Sequence, residues 1–287
     1  SLIPTKGFVV MHFDSGKKKV KFKGIPLNGK FFMNEEIIYY VDGLIHREDG
    51  PAVIYKNEKT GSETRIWYKK GLVHNDNDEP AVIATNGYFR WSQNGKYHRE
   101  NGPAIIHPDG SKEWYKKGRR HRKDGPAIIM ADGREEWWKN GKRHRRKAPA
   151  IIDENKCEEA WYIDGKLHRL DGPALKNSDL IAWYKDDLLH REGGPAVLYY
   201  YGESQWWMNG FLHRDEGEPP VIAGDGTKIW AYSCFKNSKY PVKHREDGPA
   251  VIFPNGKHQY WTHNKCYPNF DQWFSSKSDK EKTDAVT

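Results

Sequence analysis

The sequence predicts an all-β fold, an elongated, solenoid-like array of antiparallel β-hairpins with a period of about 23 residues, joined into a single continuous twisted sheet. Three observations predict it. A unit of the form W-x-x-x-G-x-x-H-R-x-x-G-P-A-x-I recurs along most of the 287 residues. Asn-Gly and Asp-Gly pairs punctuate each unit, as tight turns require. A proline in every unit, from Pro51 to Pro249, excludes a helix of useful length.

The elements follow in chain order. Residues 1–35 read as an N-terminal capping hairpin and partial repeat: "VVMHFDSGKKKVKF" resembles a worn hairpin turning at Asp14-Ser15-Gly16, with Gly24 and Pro26 marking an incomplete unit. Residues 36–268 hold nine to ten repeats. Aligned on His46, His74, His98, His121, His144, His168, His190, His213 and His244, they are spaced 28, 24, 23, 23, 24, 22, 23 and 31 residues apart.

Within each unit one turn falls at Asp42-Gly43, Asn94-Gly95, Asn140-Gly141, Asp164-Gly165 or Asn209-Gly210, and a second at Asp109-Gly110 or Asp132-Gly133. Between them, runs such as "PAIIM" and "EEWW" have the β-branched and aromatic content of strands, two per unit. Residues 269–287 read as a C-terminal cap, with Phe270, Trp273 and Phe274 closing the last edge, followed by a disordered polar tail.

These residues carry a resemblance. The period, "NGKRH" and the following "DG" are similar to the membrane occupation and recognition nexus (MORN) repeat family, over about residues 35 to 265. The chain departs from the family's pattern by placing Arg rather than Gly after the His and by delaying the second turn with "x-x-G-P-A", which makes it a variant class. The resemblance implies an elongated hairpin sheet and keeps membrane lipid among the partners. Units with His-Arg and Gly-Pro-Ala also resemble repeats of large DNA viruses and phages, which implies a viral protein acting on a host factor.

Composition narrows the function classes. Only 37% of residues are hydrophobic, whereas 14% are aromatic and Trp occurs 12 times, which suits a thin structure. Three cysteines without C-x-x-C spacing indicate neither a disulfide framework nor a thiolate zinc site. No long apolar run occurs, so the expectation is a soluble, cytoplasmic protein. The net charge of +8 is concentrated: residues 112–147 carry 14 Lys and Arg against 5 acids, while residues 148–235 carry 8 against 15.

Three sets of residues are candidates for function. The first is a structural ladder: Trp91, Trp114, Trp137, Trp161, Trp183 and Trp206, stacking hairpin on hairpin, with His98, His121, His144 and His168 donating hydrogen bonds that fix the loop after the turn, helped by acids such as Asp49, Asp124, Asp171 and Asp247. Successive His residues would lie about 10 Å apart, too far to share a metal. The second is an anion-binding or partner-binding set: Lys116, Lys117, Arg119, Arg120, Arg122, Arg143, Arg145 and Arg146. The Arg beside each His also has a structural reading, bidentate pairing with an acid of its own or the adjacent unit. The third is a set of partner-facing aromatics, Tyr115, Trp138, Tyr162 and Trp207, one position after the ladder tryptophan.

Apolar residues in "PAII" face both sides of a strand, so something must cover the second face: the His-Arg loop, a curled sheet, or another chain, which makes a homodimer one reading. Breaks in the pattern, at Asp76 to Glu79, "RKAP" at 146–149 and the insertion Ala231 to Lys243, are where specific recognition is expected. No nucleophile elbow, P-loop or dinucleotide fingerprint occurs. The reading is a non-enzymatic scaffold for a protein partner, without a small-molecule cofactor. The alternative is contact with nucleic acid or acidic phospholipid through the basic patch at 112–147.

Overall fold

The computed structural model describes residues 9–277 apart from 15–16, 23–24, 34 and 216, with side chains from residue 27 onward, residue 33 excepted. The turn expected at Asp14-Ser15-Gly16 lies partly, and the tail from residue 278 wholly, outside the described residues. The chain is nearly all β, an antiparallel series of sequential hairpins. It divides into two units, residues 1–142 and 143–287.

In the first unit, the repeat around Trp114 shows how sequence becomes structure. Strand Ile105–Ile106 turns back into Lys112–Glu113, pairing Ile105 with Glu113. The turn closes because Gly110, at φ 90°, takes the left-handed conformation, its N–H donates to the His107 carbonyl at 2.9 Å, and Asp109 Oδ1 accepts from the Ser111 N–H.

After Trp114 the chain leaves this meander. It forms a second hairpin, Tyr115–Lys116 with Arg119–Arg120, around Lys117 and Gly118, both at positive φ (51° and 79°). That is a type I′ turn, whose twist matches such short strands. The loop 121–127 then returns the chain to Ile128–Ile129, which pairs with Lys112–Glu113.

Each repeat therefore has four short strands where the sequence suggested two. The aromatic runs are split between the two hairpins: Glu135–Glu136 belongs to the meander and Trp138–Lys139 to a short hairpin. The ladder tryptophan sits at the bend and stays bonded there, as when the Trp114 N–H donates to the Ala127 carbonyl at 2.7 Å.

The short hairpins cover the second face of the meander. In the second unit, Ala182, Val197 and Val221 from the meander cluster with Leu189, Trp207 and Leu212 from short hairpins. The first unit has a smaller cluster of the same kind, Ile38, Tyr40 and Val53 against Ile45 and Tyr68. The alanine of Gly-Pro-Ala is fully buried at Ala52, Ala81, Ala104 and Ala127, and again at Ala150, Ala174, Ala196 and Ala250. Larger side chains there would hold the layers apart, which accounts for an alanine in nearly every repeat.

The first unit begins with strands Val9–Asp14, Lys17–Phe22 and Ile25–Pro26 in a small sheet of their own. Among the described residues the second unit has one short helix, Phe270–Ser275, capped by Asn269, whose side chain accepts from the Gln272 N–H. The proline rule excluded helix from the repeats, and this turn lies beyond them. Trp273 is fully buried against Tyr260, with ring centroids 5.0 Å apart, so the helix closes the last hairpin. Among the described residues no helix is long and apolar enough to cross a membrane.

Candidate interaction face

The His residues, His213 apart, join one short hairpin to the next. Nδ1 of His98 accepts the N–H of Lys117 at 3.1 Å, and Nδ1 of His121 accepts that of Asn140 at 3.1 Å. In the second unit the same bond runs from Asp164 to His144, from Asp186 to His168 and from Asn209 to His190. The donor is always the first left-handed residue of the next turn.

A second turn N–H is bound in parallel, Gly118 donating to the Tyr97 carbonyl at 2.8 Å. Both orphan donors of the turn are thus satisfied by the preceding repeat. The His is an acceptor, where the sequence suggested a donor. Where an acid stands two residues on, Nε2 faces it, 3.2 Å away for His98 and Glu100. Asp49, Asp171 and Asp247, three residues past their His, bind the Arg instead, at 2.6–2.9 Å.

The Arg residues are also engaged inside their repeats. Arg122 lies over the Trp114 ring at 4.0 Å and donates to the Pro126 carbonyl at 3.0 Å. The same pairing joins Arg99 to Trp91, Arg169 to Trp161, Arg191 to Trp183 and Arg214 to Trp206, at 3.8–3.9 Å. Arg145 donates to Pro149 at 3.0 Å. Trp91 is buried, and Trp114, Trp137, Trp161, Trp183 and Trp206 are half-buried. Trp91, Trp114, Trp161, Trp183 and Trp206 thus lie under a guanidinium of their own repeat, and the step between hairpins is carried by backbone and imidazole hydrogen bonds.

Of the aromatic set expected to face a partner, Trp207 is buried and Tyr115, Trp138 and Tyr162 are half-buried. Trp207 is 3% exposed and donates through Nε1 to Gln205 at 2.9 Å, which corrects its assignment as a partner-facing residue. Trp138 donates likewise to Glu136, which is itself buried. The Tyr115 hydroxyl donates to Glu113 at 2.9 Å, and burial together with Glu113 pushes its pKa up to about 12. Burial likewise raises Tyr162, beside Arg143. The reason is strand alternation interrupted at the bend: the ladder tryptophan is not in a regular strand, so the next residue turns toward the meander.

Arg120, from the basic set, joins this cluster while its side chain stays 37% exposed. Its guanidinium meets Glu113 at 3.1 Å. Burial alone would raise the Glu113 carboxyl, but His107, Tyr115 and Arg120 together hold it below the usual carboxylate range.

What remains outside is a row of cations. Lys116, Lys117 and Arg119 project from one short hairpin of the first unit, and Lys69, Lys70, Lys96, Lys139 and Lys142 from its neighbours, all exposed. Lys69 pairs with Asp76 and Lys116 with Glu100. The others meet no acid among the described residues, and the short hairpins from Tyr68 to Lys142 contain none. The stems of Lys96 and Arg119 lie against the turn glycine of the following repeat, Gly118 and Gly141, which fixes where the charges emerge.

Charge density in the sequence picked out 112–147 and missed Lys69, Lys70 and Lys96. The signal that finds them is position around the turn glycine. In the second unit the equivalent positions are mixed, with Asp164, Asp186 and Asp187 beside Lys166 and Lys185. Arg146 is exposed there, on the loop 144–148.

The insertion 231–243 has its own anchor. The Asn237 side chain accepts from the Leu189 N–H at 2.9 Å and donates to the Asp187 carbonyl at 2.7 Å, while its backbone N–H donates to Gly210. It bridges two earlier hairpins and leaves Phe235 and Tyr240 exposed. Among the described residues no cluster of His, Cys, Asp and Glu has the arrangement of a metal site. Comparison with protein-family models finds no match to the chain, and comparison with curated proteins finds none.

Proposed function

We propose that the chain is a non-enzymatic scaffold that binds an acidic segment of a protein partner on the outer face of its first-unit short hairpins. The row of exposed lysines and Arg119, held in register by successive turns on short hairpins that themselves contain no acid, is the observation that carries this reading. Neighbouring repeats set the charges about 10 Å apart, a spacing that suits an extended acidic chain. The repeated His residues, His213 apart, and the Arg residues beside them are committed to hydrogen bonds within and between repeats.

The same row supports a second reading, contact with the phosphates of nucleic acid or acidic lipid. The aromatics beside the cations, Tyr115 and Trp138, are half-buried and hydrogen-bonded to Glu113 and Glu136, which favours backbone or headgroup contact over base stacking.

The test is titration of the full chain with labelled polyglutamate, a single-stranded oligonucleotide and vesicles containing phosphatidylserine, at rising salt. Polyglutamate binding that weakens roughly tenfold or more in a Lys96→Glu, Lys117→Glu, Lys139→Glu variant supports the scaffold reading. Tighter binding of oligonucleotide or vesicles would move the assignment to the second. Equal binding by the variant and the original chain would end both.

A further inference from the structure

We infer that the second unit carries a specific anchoring groove for such a partner, one that takes an apolar side chain flanked by carboxylates. This deepens the proposed function and rests on it. The groove lies between the loops 144–148 and 168–172. It has a volume of about 570 Å3 and is lined by Arg146 and Lys147 on one side and by Trp161, Ile163, Leu170 and Asp171 on the other.

The charged wall lacks acids that other repeats supply. In the loops after His46, His98, His190 and His244 the second residue past the His is glutamate, facing the imidazole. After Arg47, Arg169 and Arg245 the next position but one is aspartate, paired with the guanidinium. Loop 144–148 has Arg146 and Lys147 at these two positions. Both acids are gone and two cations replace them. Neither cation has an ion pair or side-chain hydrogen bond among the described residues, and both are exposed.

The opposite wall breaks the pattern too. Leu170 occupies the position of those glutamates and is 77% exposed. A single exposed leucine means little alone. Here it stands at the mouth of a groove floored by Trp161 and Ile163, so one wall is apolar and the other carries uncompensated charge.

Both walls are held in place. Arg145 donates from its backbone to Tyr162 at 3.0 Å and from its side chain to Pro149. Arg169 covers one face of Trp161 at 3.9 Å, binds Asp171 and donates to Pro173. Little ordering is needed on binding, which favours recognition by a short segment. Asp171 is occupied by Arg169, so the net charge offered to a ligand is that of Arg146 and Lys147. The occupant that fits is an acidic peptide: its carboxylates take the place of the missing loop acids and an aliphatic side chain packs on Leu170 and Ile163.

The probe is a short labelled peptide in which glutamates flank one leucine, compared with its leucine-to-serine analogue and with polyglutamate, on the full chain. The expected result is a roughly tenfold preference for the leucine peptide over the serine peptide. Arg146→Glu with Lys147→Glu removes that preference, and Leu170→Asp removes it independently. Both changes fall on exposed side chains, and circular dichroism checks that the fold is intact. Polyglutamate binding without a leucine preference, or a preference that survives these variants, overturns the groove and leaves the scaffold reading standing. Absence of binding by every acidic peptide overturns both.

Discussion

Gly125 lies so close to the guanidinium of Arg122 that a β-carbon at that position would come within 2.9 Å of Cζ. Gly172 and Arg169 are related in the same way, at 2.8 Å. The guanidinium is therefore enclosed between an indole and a glycine, and the three residues form one packing element. This explains why W, R and G recur together although they lie far apart in the unit.

The first prediction follows from that enclosure. Gly125→Ala should cost about 1 kcal/mol, since overpacking forces a neighbour to shift, and the chain's own Ala148 beside Arg145 indicates that the neighbour can give. In an Arg122→Asn background the cost should largely vanish. Asn75 already stands in the Arg position of one repeat, where it donates to the Pro80 carbonyl at 2.9 Å with Glu79 preceding the proline. A double-mutant cycle by urea denaturation measures the coupling. A penalty of the same size in both backgrounds would rule out the enclosure as its cause.

The second prediction concerns Trp207. A side chain displayed to a partner can be truncated with little effect on stability, whereas one 3% exposed cannot. Trp207→Ala should lose about 3–5 kcal/mol, the range for large-to-small changes in a core. Thermal unfolding of the full chain reads this directly. A change within experimental error would restore Trp207 as a surface residue.

How much of this was legible in the sequence depends on the residue. The turns could be read, because Asn140-Gly141 and Asp109-Gly110 have local conformational requirements that no distant contact alters. The engagement of His121 was anticipated in kind but reversed in sense, since only the structure shows which repeat supplies the partner. Trp207 was misplaced because strand alternation was carried through the bend at the preceding tryptophan. Arg120 was counted with the surface charges for a related reason: charge density along a sequence does not say which of two adjacent arginines points inward, and Glu113, which decides it, is seven positions away. The helix at Phe270–Ser275 has an N-cap asparagine but no apolar period, so nothing local announced it beyond its aromatics.

The third prediction is a pH dependence at the C-terminal end. Burial, with a contribution from the neighbouring His263 and Lys277, lowers the pKa of His244 against the opposing pull of Glu246. The folded chain then binds this proton less readily than the unfolded chain. Its contribution to stability is complete above about pH 6.5 and declines as pH falls below that value toward the lower folded pKa. Protonation also removes the Nδ1 lone pair that accepts the His263 N–H. Hydrogen exchange at the His263 amide should accelerate relative to the intrinsic rate as pH drops through this window, and His244→Gln should remove the dependence. A pH-independent protection factor would exclude it.

The last prediction tests the insertion as a designed bridge. Residues 231–243 interrupt the repeat, and the next type I′ turn, which would otherwise supply an N–H to His213, is missing; His213 is correspondingly exposed. Asn237 substitutes for that turn by reaching further back, to Asp187 and Leu189, on the hairpin before the one it follows. Gly210 leaves the space for it, since a β-carbon there would lie 3.1 Å from Lys236 Cβ and 3.2 Å from Asn237 Oδ1. Asn237→Ala removes two side-chain hydrogen bonds, worth about 1 kcal/mol each, and leaves the Leu189 N–H without its acceptor. The loss should appear locally, as faster hydrogen exchange at Leu189 and greater protease sensitivity between Phe235 and Tyr240, because each repeat contacts chiefly its neighbours. Asn237→Asp, which keeps the acceptor and loses the donor, should protect Leu189 while freeing the loop at Asp187. If Asn237→Ala changes neither exchange nor cleavage, the insertion is held by other contacts and the bridge is incidental.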